Sequence, residues 1–318
     1  MPELIAVTGA RGWIGREVCA WLRSRGHGVR PLTREGELPD GLKLDLTAAE
    51  SGPRWREALF GCTAVIHCAA HVHRPIETEA EKELFGLVNV AGTAKLLAAA
   101  LQAGVSRFVL VSSAAVYDWS KEGPMNEDAA LRPVTAYAKS KLEAESLVRS
   151  STLDWRIGRL ATVFGRGDTA NFRRLALALK ARRFVIPGQG NSCKSVLSAS
   201  QAGELLGRLA TQQEGSRIVL NLASPLAPSL REICTAFSRR CGFANAPMAP
   251  LWLLRGGAFL GDGLRVLGVP APLDTNLLAK LTTPTVLDVS AMLQMFPDIT
   301  WTEFEETLEP AADYYAAG

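Results

Sequence analysis

The first half of the chain alternates short, continuously apolar runs with stretches whose apolar residues recur at helical spacing. That is the pattern of a parallel sheet covered by helices on both faces. It predicts strands over Leu4–Thr8, Val29–Thr33, Leu42–Leu46, Ala64–Cys68, Phe108–Ser112 and Arg156–Val163. Helices are expected over Trp13–Arg25, Pro53–Leu59, Glu79–Ala103 and Tyr137–Arg149. Runs such as AVIHCAA and RFVLVSS do not alternate with polar residues, as expected for strands buried on both sides. Pro31 cannot donate to a ladder and blurs the bounds of the second strand.

After about Phe164 the texture changes. GRGDT and IPGQGN read as loops, and longer helical patterns follow over Ser229–Cys241, Asp274–Leu281 and Thr302–Ala316. Between them, helix-like QAGELLGRLA and strand-like RIVLNLA at 217–223 send the chain back to the sheet. The expected architecture is a doubly wound parallel α/β sheet over residues 1–165, rejoined at about 195–223, with a smaller, mainly helical domain in 166–318. A ligand would lie in the crevice beyond the carboxyl ends of the strands.

Composition narrows the class. With 318 residues, 47% hydrophobic and 21% charged, the chain is too apolar for disorder, and 28 Gly and 17 Pro are too few for a fibrous protein. A net charge of +3 without a basic run gives no nucleic-acid footprint. Six cysteines without C-x-x-C spacing are expected as buried free thiols. MPELIAVTGARG lacks the basic and apolar regions of a signal peptide. The most apolar stretch, Leu251–Ala271, is broken by Arg255, Asp262, Arg265 and five glycines and falls short of a span. These features lead to the expectation of a cytoplasmic protein with no membrane partner, in which Trp252, Phe259 and Trp301 pack the second domain.

Candidate chemistry begins directly after the first strand. Thr8-Gly9-Ala10-Arg11-Gly12-Trp13-Ile14-Gly15 opens the first helix. Gly9 permits a tight turn, Gly12 lets the backbone approach a pyrophosphate, and Gly15 lets helix and strand pack closely, while the helix N-terminus offers N–H groups. A dinucleotide site follows. No acid ends the second strand; Thr33 and Arg34 stand there, with Glu35 next. Arg34, helped by Arg11, could grip a 2′-phosphate, which favours NADP with NAD as the alternative; otherwise both arginines are solvated charges. Asp45, with Leu46 beside it, is placed to meet the adenine, or else to cap a helix.

Tyr137 and Lys141 share one helical face, and Ser112-Ser113 ends an apolar strand upstream. A phenol with a pKa of about 10 becomes a useful acid–base group when an ammonium and an oxidised nicotinamide stabilise its anion. Ser113 could then align the substrate oxygen.

The set TGARGWIG, VIHCAA, VNVAGT, VLVSSAAVY and YAKSK resembles the extended short-chain dehydrogenase/reductase family (NAD(P)-dependent epimerases and dehydratases). The resemblance implies bound NAD(P), a catalytic set of Ser113, Tyr137 and Lys141, and a bond from Lys141 to the nicotinamide ribose. It also implies a cofactor cleft lined by Asn89 and the Cys68-Ala69-Ala70 backbone. Within the family, AAHVH, ANFRRL and IPGQGNSCKS are most similar to bacterial nucleotide-sugar 4-epimerases and 4-ketoreductases of polysaccharide biosynthesis.

The chain departs from the family where an arginine commonly holds the substrate pyrophosphate. Gly190 is followed by Asn191-Ser192-Cys193-Lys194, and Lys194 could supply only a point charge. At the end of the fifth strand, Ala114 and Ala115 replace the acid and base of the 4,6-dehydratases. A ketoreductase is expected first, a 4-epimerase with retained NAD second, and a non-catalytic cofactor sensor as the rival of another class. His71 and His73 lack a third metal ligand and are expected near a sugar or phosphate instead. Asn171 is expected in a similar part or as a helix cap, and a homodimer through helices 79–103 and 137–149 is expected from the fold.

Overall fold

A computed structural model describes residues 2–34, 41–47, 52–72, 78–266, 268–269, 271 and 273–317. Strands β1 (Leu4–Thr8), β2 (Gly28–Thr33), β3 (Leu42–Lys43), β4 (Ala64–His67), β5 (Arg107–Ser113) and β6 (Asp154–Leu160) come first in the chain. They alternate with helices α1 (Trp13–Ser24), α2 (Gly52–Leu59), α3 (Glu79–Leu84), α4 (Gly92–Gln102) and α5 (Ala136–Arg149). Beyond them lie β7 (Thr162–Phe164), α6 (Asn171–Lys180), β8 (Ile186–Pro187), β9 (Val196–Ser198), α7 (Ala199–Thr211) and β10 (Ile218–Leu222). Next are α8 (Leu230–Cys241), β11 (Met248–Ala249), α9 (Leu251–Val266) and α10 (Thr275–Thr282).

The main sheet runs β10-β6-β5-β4-β1-β2-β3 with every pairing parallel. Order reverses at β1, so a crevice opens there beyond the strand ends. The apolar runs lack alternation because both faces are dry. Ile5, Val7, Ile66, Val109 and Val111 pack with α1 and α7, whereas Ala6, Val65, Phe108 and Leu110 pack with α4 and α5. Pro31 fits inside β2 because β3 pairs only with Leu32 and Thr33, beyond the proline.

Several bounds differ from the pattern-based expectation. The third strand stops at Lys43. The run 156–163 divides, β6 staying in the main sheet while β7 pairs with β9. Helix 79–102 is continuous but takes π-type bonding over Phe85–Ala91. It is long and apolar enough to cross a membrane by length and composition, yet Phe85, Leu96, Leu97 and Ala100 are buried in the protein. The C-terminal helical pattern divides into Phe304–Leu308, a tighter turn at Glu309–Ala311, and Ala312–Ala316, with Pro310 at the interruption.

A separate core forms from Phe164, Phe172, Ile186, Ile233, Phe237, Phe304 and Tyr315. Trp301 packs at the edge of the sheet's own core, whereas Trp252 and Phe259 lie on the surface, 74% and 75% exposed, against expectation. Cys19, Cys62 and Cys234 are buried free thiols, and the other three cysteines are half-buried.

Candidate active site

The glycine turn is built by close approach. Gly9 has φ +65°, and a Cβ there would lie 2.8 Å from the Ala69 backbone. A Cβ on Gly15 would strike the carbonyl of Gly9, so its smallness serves the turn itself rather than contact with a strand. The Gly12 N–H donates to Gly9 O at 2.8 Å, and Gly12 caps α1 without a side chain. The first-turn N–H groups of α1 are therefore left to an anion. Trp13 lies half-buried against Gly167, tying this turn to the loop that leads to α6.

Beneath the turn runs a polar chain that the sequence reading missed. The Thr93 hydroxyl donates to Asn89 O at 2.6 Å, so it accepts from His67 Nε2 at 3.0 Å. His67 Nδ1 is then an acceptor, bonded by the Thr8 hydroxyl at 2.7 Å, and Thr8 Oγ1 accepts from Ala69 N at 3.2 Å. The imidazole is buried and neutral; burial first, and the Lys141 charge second, push its pKa down to about 3. A folded value below the ordinary 6.5 means that stability is full above pH 6.5 and falls as acid protonates the unfolded chain. The loss should reach about 2 kcal/mol at pH 5 and be absent in His67→Gln, as read from urea midpoints at pH 5 and pH 8.

Asn89, buried in the π-type turn, is fully occupied. Its Oδ1 accepts from His71 N at 2.7 Å, and its Nδ2 donates to His71 O at 3.0 Å and Ser140 Oγ at 2.9 Å. It is a brace between the loop after β4 and α5. The His71 ring packs 4.7 Å from Phe85, which meets Tyr137 edge-on at 6.2 Å. His73 and Glu35 lie outside the described residues.

Ser113, Tyr137 and Lys141 converge. Ser113 ends β5, accepts from Ala115 N at 3.2 Å and stands near enough to the Tyr137 phenol to favour its anion. Thr135 caps α5 through Ala138 N, setting Tyr137 in the first turn. Burial raises the phenol pKa, and the nearby Ser113 hydroxyl opposes this. The buried Lys141 ammonium lies 5.9 Å from the centre of the Tyr137 ring and donates to Val111 O at 2.9 Å. Burial pushes its pKa down to about 8, opposed by Cys68 and Glu145, so it stays largely charged at pH 7.

One turn further along α5, Glu145 sits in a second buried network. It accepts from Ser112 Oγ at 2.6 Å and takes both arms of Arg159, at 3.0 and 2.8 Å. Arg159 also donates to Tyr117 Oη at 2.9 Å, and Tyr117 donates to Asn221 Oδ1 on β10 at 2.7 Å. Burial alone would raise the Glu145 pKa; the Arg159 bonds and charge with the Ser112 bond outweigh it and hold the carboxyl low.

Other expected ligands are occupied elsewhere. Asp45 accepts from the N–H and hydroxyl of Thr47 at 2.9 and 2.8 Å, and these bonds lower its pKa, with the Arg34 charge contributing. Arg11 and Arg34 are exposed, while Leu46 is buried against Gly92. Lys194 donates to the carbonyls of Lys280, at 2.8 Å, and Thr283, so it caps the C-terminal end of α10; burial lowers its pKa to about 8. Asn171 is exposed at the first residue of α6, and the capping role falls to buried Asp168, which accepts from Ala170 N and Arg173 N at 2.7 and 2.9 Å. Among the described residues no cluster of three His, Cys, Asp or Glu could hold a metal.

Residues 5–220 match the model of the NAD dependent epimerase/dehydratase family. A UDP-glucose 4-epimerase of Vibrio cholerae is 32% identical over 187 residues, 55% of this chain; the chain spans only 56% of that protein. The 4-hydroxy-2-methyl-3-oxo-4-farnesyl-3,4-dihydroquinoline-1-oxide ketoreductase of Stigmatella aurantiaca is 30% identical over 271 residues, 81% of this chain and 79% of that protein. Among solved structures, MoeE5 in complex with UDP-glucose and NAD is similar with a TM-score of 0.75 and 25% identity, over 98% of this chain and 97% of that one.

Proposed function

The chain belongs to the NAD-dependent epimerase/dehydratase family, and from that premise we propose that it reduces the C4 carbonyl of a nucleotide-linked sugar with NADPH. The observation that carries this reading is the convergence of Ser113, Tyr137 and Lys141 beyond the end of β5, where Ala114 and Ala115 provide no acid or base for dehydration. The glycine turn, whose Gly9 meets the Ala69 backbone, fits a dinucleotide pyrophosphate on α1. A bound nicotinamide cofactor supplies the hydride. Ser113 donates a hydrogen bond to the carbonyl oxygen, and Tyr137 donates its proton to that oxygen as the carbonyl becomes an alcohol. Lys141, positively charged, stabilises the phenolate left behind. Intact Tyr137 and Lys141 favour catalysis over cofactor sensing.

Arg11 and Arg34 are the groups for the 2′-phosphate in this reading. Lys194, held by the α10 carbonyls, leaves the substrate set. A 4-epimerase that retains NAD is the second reading, favoured by the likeness to MoeE5 with UDP-glucose and NAD. The exposed Leu87 and Leu101 mark the face that a homodimer would cover.

The test is NADPH oxidation with a 4-keto nucleotide sugar. Stoichiometric consumption is expected, with Arg34→Ala lowering kcat/KM for NADPH about 10- to 100-fold and sparing NADH. Interconversion of C4 epimers without net redox would instead establish the epimerase. An unchanged NADPH/NADH ratio in Arg34→Ala would remove the arginine from cofactor choice.

A further inference from the structure

We propose that the outer face of α9 docks on the surface of a lipid bilayer containing anionic headgroups. The helix is amphipathic in the reverse sense. Its inner face carries the small residues Ala258 and Gly261, both buried, and a Cβ on Gly261 would collide with the Leu273 carbonyl. Its bulk points outward: Trp252 is 74% exposed, Phe259 75%, Leu260 70% and Leu253 54%, with Leu264 and Val266 beside them. At 100° per residue these six side chains fill one arc of about 160°, interrupted only by glycines. A surface helix of a soluble domain turns such an arc inward; single exposed apolar residues are ordinary, a contiguous field is not.

The charges around the field identify what it meets. Across the described residues of 248–282 the only acids are Asp262 and Asp274, and both are engaged at the start of α10. Asp262 accepts from Thr275 N and Oγ1 at 3.2 and 2.6 Å; Asp274 accepts from Leu277 N at 2.5 Å and pairs with Arg265. Arg265 is neutralised by that pairing, and the exposed charges left without an acidic partner are Arg255 and Lys280, both positive. Tryptophan and phenylalanine on an apolar arc with Arg255 at its edge and Lys280 on the adjacent α10 match the headgroup–acyl boundary of an anionic leaflet. A second copy related by a two-fold axis would instead bring the same cations face to face. The inference stands apart from the proposed reaction, which uses none of these side chains, and it replaces the expectation of no membrane partner.

The experiment is flotation of the full chain with phosphatidylcholine vesicles, plain or containing about one-third phosphatidylglycerol. The protein should rise with the anionic vesicles, and Trp252→Glu/Phe259→Glu should reduce partitioning more than tenfold at unchanged turnover. Arg255→Gln should weaken it roughly fivefold, most visibly at low salt. The proposal is overturned if the native chain stays with the soluble fraction, or if the double variant floats equally well. It is likewise overturned if light scattering shows a dimer that the double variant dissolves while vesicles bind neither.

Discussion

Tyr137→Phe is expected to lower kcat by about 10²- to 10⁴-fold while nucleotide affinity changes little. The ring still fills its place beside Phe85, and the Lys141 ammonium remains bonded to Val111 O. Only the transferable proton is lost. Lys141→Met should differ in kind, since in the proposed reaction it removes both the charge that would stabilise the phenolate and a donor that would face the cofactor. Steady-state turnover with a fluorescence titration of the nucleotide separates the two effects. Turnover within tenfold of the native chain in Tyr137→Phe would remove the phenol from the chemistry and leave another acid to be found.

The largest stability effect is expected at Glu145. Replacing it by alanine leaves the guanidinium of Arg159 buried and unpaired, which costs about 3–5 kcal/mol, equivalent to a Tm fall on the order of 10 °C. Removing both charges is another matter. Glu145→Leu/Arg159→Met should lie closer to the native chain than either single variant, because an apolar pair of similar size avoids the unpaired ion. Calorimetry on the three variants decides the point. A double variant as unstable as the singles would move the stabilisation to the Tyr117–Asn221 arm of the network.

Much of the sheet was legible because strands buried on two faces leave an unmistakable apolar run. Leu4–Thr8 keeps its expected bounds, and the crossover helices shift by only a residue or so. Legibility failed where partners rather than periodicity decide. Nothing in a local window tells Leu160 from Val163, yet one strand pairs with β5 and the other with β9. His67 reads as one more residue of an apolar strand, because its partners lie 59 and 26 positions away. Arg156 and Arg159 look misplaced in a strand until Arg156 is seen closing the C-terminal end of α7, bonding the carbonyls of Leu209 and of the capping Gln212, both at 2.7 Å. Trp252 and Phe259 pose a different problem. Apolar content alone does not say which way a helix faces; the small residues opposite them do.

The late return of β10 bears on biosynthesis. A nascent chain that has released β1 to β6 already holds Tyr137, Lys141 and the glycine turn. It still lacks α7, which covers one side of the sheet, and Asn221, which receives the Tyr117 hydroxyl. Premature stops before residue 199 should thus yield polypeptides with a bare apolar face, prone to capture by chaperones.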